Sequence, residues 1–288
     1  MSERPGSGWP APAKLNLFLH IVGRRDDGYH LLQTVFQFLD HGDRIDFELR
    51  EDGRIERRHD LPGVPEAADL TLRAARHLQA LTGCRQGADI RLDKRLPLGG
   101  GLGGGSSDAA TVLVALNYLW DLGLNEDELA AIGLELGADV PVFVRGRAAW
   151  AEGVGENLTP VDLPEPWYLV IKPPVEVSTA RVFGAPELTR DCTPLKIRDF
   201  LSGRGTNVCE PVVRAMHVEV AGALDWLQRA AGRARMTGTG SCVFAPFDDP
   251  AQAMALLPEL PTGCTGFIAR GMNRSPLLHR LATARGVR

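Results

Sequence analysis

Six glycines fall within the seven positions from Gly99 to Gly105, interrupted only by Leu102, and no other stretch of this 288-residue chain implies chemistry so directly. Glycine at that density lets the backbone take positive φ repeatedly and keeps side chains from standing between a bulky anion and the main-chain N–H groups. Such a loop, framed by Pro97, Leu98, Ser106 and Ser107, suits a polyphosphate. Directly after it, Val112, Leu113, Leu116, Leu119 and Trp120 recur at helical spacing and predict a helix from roughly Ser107 to Trp120. The unpaired N–H groups and dipole of that helix would face the same anion. Two further places carry groups that could act on a ligand. Lys14 and Asn16 alternate with Leu15 and Leu17, so both would project from one face of a strand, and Asp139 stands between the end of a helix and the apolar run Val142 to Val144. By residue type alone, a lysine at a strand start also reads as a solvated edge charge, and an aspartate at such a junction as a turn residue or cap.

The elements around the loop narrow the reading. Ala88, Ile90 and Leu92 alternate with Asp89, Arg91 and Asp93, which predicts a half-buried strand, so the unit is strand, glycine loop, helix. A P-loop would end in Gly-Lys-Ser/Thr, and no lysine stands there. Gly99, Gly101 and Gly104 formally meet the dinucleotide pattern, but any run of glycines does, and a Rossmann strand would be continuously apolar rather than alternating. Upstream, the pattern predicts strands at Leu15–Ile21, Leu31–Leu39 and Ile45–Leu49, the first two joined by the Asp-Gly turn within Arg24–Gly28 that delivers Tyr29 and His30. Residues 53–65 read as a polar loop. Asp69 would cap a helix over Leu70–Leu81, and Asn125 with Glu128 forms a capping box for a helix with Leu129, Ile132 and Leu136 buried and Gly137 at its end. A strand is expected over Val142–Val144. Three prolines in residues 158–166 mark the boundary between two halves. Beyond it come a strand at Trp167–Lys172, a short helix capped by Ser178 or Thr179 and carrying Phe183, and a helix over Val220–Ala231. A second glycine turn, Thr237-Gly238-Thr239-Gly240-Ser241, leads into a strand at Cys242–Ala245, and a helix over Pro250–Leu257 and a strand over Thr265–Arg270 complete the half.

Composition excludes several classes. The chain is 44% hydrophobic and 24% charged with a formal net charge of −4, which gives no general attraction to nucleic acid or to an anionic membrane. Its apolar runs are far shorter than the roughly 18 to 20 residues of a membrane span. Residues 1–12 read as a loose Gly/Pro/Ser-rich tail rather than a signal peptide. Five scattered cysteines with no C-x-x-C suggest inert cytosolic thiols and no zinc site. A cytoplasmic protein is expected, as a monomer or weak homodimer, with no residue assigned as a metal ligand.

Taken in order, Pro12-Ala13-Lys14-Leu15-Asn16-Leu17, the loop from Pro97 to Ser107, and Thr237-Gly238-Thr239-Gly240-Ser241 resemble the three motifs of the GHMP kinase superfamily. Arg25-Asp26-Asp27-Gly28-Tyr29-His30 and Leu136-Gly137-Ala138-Asp139-Val140-Pro141 extend the resemblance over about residues 9–276. The resemblance implies an α+β fold of two lobes: an N-terminal ATP-binding lobe, residues 1–160, with a mixed or antiparallel sheet and the phosphate loop, and a ferredoxin-like C-terminal lobe, residues 161–288. It also implies ATP and Mg²⁺ as cofactors, and phosphoryl transfer to the 2-hydroxyl of a small cytidine-diphosphate-linked methylerythritol. Lys14 and Asp139 match the family's catalytic pair. Phosphoryl transfer asks mainly for positioning and charge neutralisation, and a tertiary alcohol needs a carboxylate to accept or orient its proton. ATP would lie on Lys94, Pro97, Leu98, Gly99, Gly100, Gly101, Leu102, Gly103, Gly104, Gly105, Ser106 and Ser107. Asn16, Tyr29, His30 and Phe183 would hold the substrate, with Tyr29 and Phe183 stacking on the cytosine and His30 bonding its polar edge. The late glycine turn would approach the substrate's phosphates or line the cleft between lobes. Asp69 stands where relatives often carry asparagine near the adenine, and Asn207 lacks the aspartate that often follows it, so neither receives a role. A kinase of the same superfamily acting on mevalonate or homoserine is the alternative, as is a non-catalytic nucleotide-binding relative.

Overall fold

The computed structural model describes residues 5–26, 28–58 and 60–286. Met1–Arg4 of the expected tail, Asp27 of the expected turn, His59, Val287 and Arg288 lie outside the described residues. The chain runs β1 (Trp9–Arg24), β2 (His30–Arg50), β3 (Ile55–Arg57), α1 (Leu70–Thr82), β4 (Gly87–Asp93), α2 (Gly104–Leu119), α3 (Glu126–Leu136) and α4 (Val140–Arg145). It continues through β5 (Ala149–Glu152), β6 (Asn157–Pro160), β7 (Trp167–Lys172), α5 (Thr179–Gly184), α6 (Ile197–Leu201), α7 (Glu210–Met216) and α8 (Val218–Ala231). The last elements are β8 (Arg235–Met236), β9 (Val243–Phe247), α9 (Pro250–Leu256), β10 (Thr265–Met272) and α10 (Pro276–Ala284).

The architecture is α+β with two lobes whose strands join in one sheet, β3-β4-β2-β10-β7-β9-β8. β10 makes the join: it pairs along β7, and its last residues Gly271 and Met272 pair with Leu39 and Phe38 of β2. β1 leaves the same strand on another path, pairing antiparallel with β2 along most of its length. The first lobe packs α1 to α4 and α10 on the sheet around Phe38, Ile45, Leu72, Leu113 and Phe143. The second packs α7, α8 and α9 around Leu169, Ile171, Val213, Leu224 and Val243. α10, although last in the chain, sets Leu277 into the first core and accepts a 2.8 Å hydrogen bond from the Tyr118 hydroxyl at the Ala284 carbonyl.

Local chemistry accounts for most boundaries. Asn125 and Glu128 form the expected capping box of α3, and Asp69 accepts from the Thr71 N–H at the start of α1. Four expectations are corrected. The tail ends before Trp9, which opens β1 fully buried against Tyr118 and beneath the Arg280 guanidinium. The strands expected at Leu31–Leu39 and Ile45–Leu49 are one strand, β2. The polar segment at its centre continues the strand, and Gly42 lets its partner β1 lie so close that a Cβ there would stand 2.3 Å from the Ala11 carbonyl oxygen. Within the expected loop 53–65, β3 adds a parallel edge to β4. Val142–Val144 lie not in a strand but in helix α4, with proline in its first turn and Gly146 at φ +60° closing it. β5 and β6 form a hairpin that the pattern did not reveal.

Candidate active site

The glycine loop crosses from β4 to α2, and α2 begins at Gly104, so Gly104 and Gly105 form its first turn instead of preceding it. Close packing dictates glycine along the loop as much as access for a ligand does. At Gly101 (φ +74°) a Cβ would stand 2.3 Å from the Thr237 carbonyl oxygen, and at Gly103 (φ +73°) it would meet the Phe143 ring at 2.8 Å and Lys14 Cε at 3.0 Å. The loop is thus pressed between β1, α4 and the late glycine turn. That turn buttresses it: Ser241 and Cys242 donate backbone N–H groups to the Gly99 and Gly100 carbonyls, and the Thr237 hydroxyl donates to Gly101. Asn207, left without a role by sequence, donates to the Met236 and Gly238 carbonyls at 2.8 Å and so holds the turn.

Lys14 reaches this junction from β1, almost wholly buried. Its ammonium donates to Asn16 Oδ1 at 2.6 Å and to the Gly101 carbonyl at 3.2 Å, and lies 3.2 Å from Asp139 Oδ2 and 5.3 Å from the centre of the Phe36 ring. Asn16 is held in turn, its N–H bonded to the Thr237 hydroxyl and its amide to Thr34. Asp139 sits at the N-terminal cap position of α4, between two helices and half-buried.

A cavity of about 940 Å³ opens here. It is lined by Lys14, Asn16, Asp139, Lys94, the loop from Pro97 to Ser106, Tyr29, His30, Phe183, Gly238 and Thr239. Every residue singled out by sequence therefore reaches one space except Ser107, which is fully buried beneath it with an unpartnered hydroxyl. Asp69 is occupied elsewhere, capping α1 and pairing with Arg57 at 3.2 Å.

Two groups, Asp43 and Asp108, escaped the sequence reading. Lys94 is clamped between Asp43 at 2.6 Å and Asp108 at 2.7 Å, beside the first turn of α2. Desolvation pulls the lysine down, but the two carboxylates outweigh it and raise it above its usual range. Burial, with Asp43 nearby, pushes Asp108 up to about 8 against the pull of Lys94, and its Oδ1 is buried without a partner. Asp108 follows the loop serines and could have been noticed, whereas nothing in sequence ties Asp43 to Lys94. Elsewhere on the cavity wall, the Phe183 ring, expected to stack with Tyr29 on a base, faces the His30 ring at 5.1 Å and 20°. Tyr29 is 64% exposed.

A glycine loop at a helix N-terminus, a buried lysine against an aspartate and a two-lobed α+β frame define a small-molecule kinase. Residues 69–147 match the GHMP kinases N terminal domain and residues 189–264 the GHMP kinases C terminal domain, and the chain belongs to the GHMP kinase family. It is 63% identical over 270 residues to 4-diphosphocytidyl-2-C-methyl-D-erythritol kinase of Nitrosococcus oceani, covering 94% of this chain and 96% of that one. The enzyme of the same name from Pseudomonas aeruginosa is 59% identical over 274 residues, covering 95% and 97%. A crystal structure of 4-(cytidine 5'-diphospho)-2C-methyl-D-erythritol kinase superposes with a TM-score of 0.79 at 33% identity, over 92% of this chain and 98% of that one. A mevalonate kinase structure shares the fold at a TM-score of 0.66 and 15% identity, over 91% and 98%. The chain is an ATP-using phosphotransferase, and none of its described helices is long and apolar enough to cross a membrane.

Proposed function

We propose that this protein transfers the γ-phosphoryl group of ATP to the 2-hydroxyl of 4-diphosphocytidyl-2-C-methyl-D-erythritol, releasing ADP and the 2-phosphate, in the cytoplasm and as a monomer or weak homodimer. The observation that carries the reading is the 3.2 Å contact of Lys14 Nζ with Asp139 Oδ2 at the edge of the glycine loop. Near-full-length relatives of that name support the choice of acceptor.

The triphosphate lies against the loop N–H groups and the N-terminus of α2, where aligned dipoles favour negative charge. Asp139 accepts or orients the proton of the acceptor hydroxyl, and Lys14 stabilises charge on the attacking oxygen and on the group in transfer. The Gly101 carbonyl and Asn16 fix Lys14, so no reorganisation of the lysine is needed during transfer. Mg²⁺ would enter with the nucleotide, because Mg²⁺ keeps its waters and phosphate ligands and asks for only one or two protein oxygens. The donors fit that limited demand: no group of three or more His, Cys, Asp or Glu able to hold a metal occurs among the described residues, while Ser106 and Asp139 line the cavity at the loop. Bound there, the ion would neutralise phosphate charge.

A coupled ADP-release assay across the cytidyl, mevalonate and homoserine acceptors tests the reading. Turnover confined to the cytidyl substrate is expected, and preference for either other alcohol overturns the assignment.

A further inference from the structure

Arg190 lies behind the base end of the cavity and does not line it. It forms no ion pair among the described residues, and its guanidinium is spent on four neutral acceptors. Nη1 donates to the Leu188 carbonyl at 2.9 Å, and Nη2 donates to the Phe183 and Ala185 carbonyls at 2.8 and 2.7 Å. These bonds tie down the C-terminal end of α5, from which Phe183 projects. The fourth contact serves no helix end. Nε donates to His30 Nε2 at 3.2 Å, across 160 residues of sequence.

A guanidinium has donors and no acceptor, so the imidazole nitrogen it meets must present a lone pair. The proton of a neutral His30 is then on Nδ1. That nitrogen is not among the buried unpartnered atoms and makes no hydrogen bond within the described residues, and His30 lines the cavity.

We propose that Arg190 is a positioning residue that fixes His30 as its Nδ1–H tautomer and thereby selects a base whose facing ring nitrogen is an acceptor, as N3 of cytosine is and the protonated N3 of uracil is not. The proposal rests on the substrate reading above and deepens it. Facing a uracil, the fixed N–H would meet another N–H, and two donors left unpaired in a desolvated contact cost more than a missing bond. The charges around His30 agree with a neutral ring: burial lowers its affinity for a proton, and Arg190 and Arg24 lower it further. Arg24 comes from the end of β1, where its Nε bonds the Gly28 carbonyl, so the two cations that act on the ring come from different lobes.

Arg190→Gln tests this with two readouts that a merely structural role would not move. The ratio of kcat/KM for the cytidyl substrate over its uridyl analogue should fall about 10-fold or more, the loss of one hydrogen bond's worth of discrimination, while KM for ATP stays within a factor of about 2. In the ¹⁵N spectrum of the protein's seven histidines, with His30 assigned by its disappearance in His30→Ala, the His30 signal should move from the Nδ1–H toward the Nε2–H tautomer and titrate at higher pH. Unchanged discrimination with an unchanged tautomer overturns the proposal. If Arg190→Gln fails to fold, Arg190→Lys replaces it, since an ammonium cannot span the imidazole and three carbonyls, and the same outcomes decide. His30→Ala separates the two levels: an unchanged KM for the cytidyl substrate removes the base site itself, whereas a raised KM alongside an inert Arg190→Gln removes only the role of Arg190.

Discussion

The two ends of the cavity are built differently. At the phosphate end, Lys14, Asn16 and the glycine loop are bound into a frame drawn from β1, α2, α4 and the turn after β8, with backbone bonds such as Lys14 N–H to the Leu102 carbonyl closing it. Lys14 and Asn16 are buried and Asp139 half-buried, and little there can move without breaking several contacts. At the base end, Tyr29 is exposed on a turn and His30 and Phe183 are half-buried, held chiefly by a stack and by Arg190. The contrast follows from the tasks proposed for the two ends. Stabilising charge during phosphoryl transfer rewards dipoles fixed beforehand. Admitting and releasing a flat base rewards a surface that stays open, with selectivity left to one or two oriented polar groups.

Substitutions at the rigid end should therefore cost most. Asp139→Asn keeps the shape but cannot take a proton from the acceptor hydroxyl, and kcat should fall by ~10²- to 10⁴-fold with KM for both substrates little changed. Near-normal turnover in steady-state assays would take Asp139 out of the chemistry. Gly103→Val strikes the frame itself, because its Cβ meets Phe143 and Lys14 and a β-branched residue resists φ +73°. A loss of about 3 kcal/mol in unfolding free energy is expected, together with weaker ATP binding. Denaturant titration and nucleotide calorimetry would both have to show no change for the packed-loop account to fail.

The charges at this end also carry a pH signature. Asp108 holds its proton in the folded protein up to about 8 but releases it near 3.8 when unfolded, so between those values the native state binds more protons and stability falls as pH rises. The slope for one proton is ~1.4 kcal/mol per pH unit, reduced by whatever part Lys94 and Asp43 share. Asp108→Asn removes that slope. Thermal melts at pH 6 and pH 8 should show the variant losing less stability than the parent over the interval, and parallel losses would show that Asp108 titrates normally.

Much of the rigid end was legible because its signals are local. The glycine run, the capping box of Asn125 and Glu128 and the strand Trp167–Lys172 each announce themselves within a dozen residues. What could not be read depends on distant contacts. Residues 40–43 look like a turn, yet β2 runs through them because β1 and β10 both pair with it, and Asp43 finds Lys94 only after folding. α4 departs from its pattern for a different reason: Val140, Val142, Phe143 and Val144 favour strand by type, while only Pro141 and Gly146 mark a helix start and stop. At the base end, the family motif located Tyr29 and His30, but Arg190 stands in no recognisable pattern, since its acceptors are main-chain carbonyls and a ring brought in from the other lobe.

The smallest effect is expected at Tyr29. Its ring is attached to an exposed turn, where the Arg25 N–H bonds the Tyr29 carbonyl, so Tyr29→Ala leaves that backbone bond in place and removes a stacking surface. Aromatic stacking on a base contributes roughly 1 to 3 kcal/mol, so KM for the cytidyl substrate should rise about 10-fold or somewhat more, with kcat and KM for ATP nearly unchanged. Because loss at this end should appear in substrate affinity and loss at the other in turnover, the pair Tyr29→Ala and Asp139→Asn measures the contrast directly. Their effects should add in the double variant, as expected for groups assigned to separate steps at separate ends of the cavity. A Tyr29→Ala enzyme that loses ATP affinity instead would mean that the exposed ring serves the nucleotide, and the division of the cavity into a base end and a phosphate end would have to be reversed.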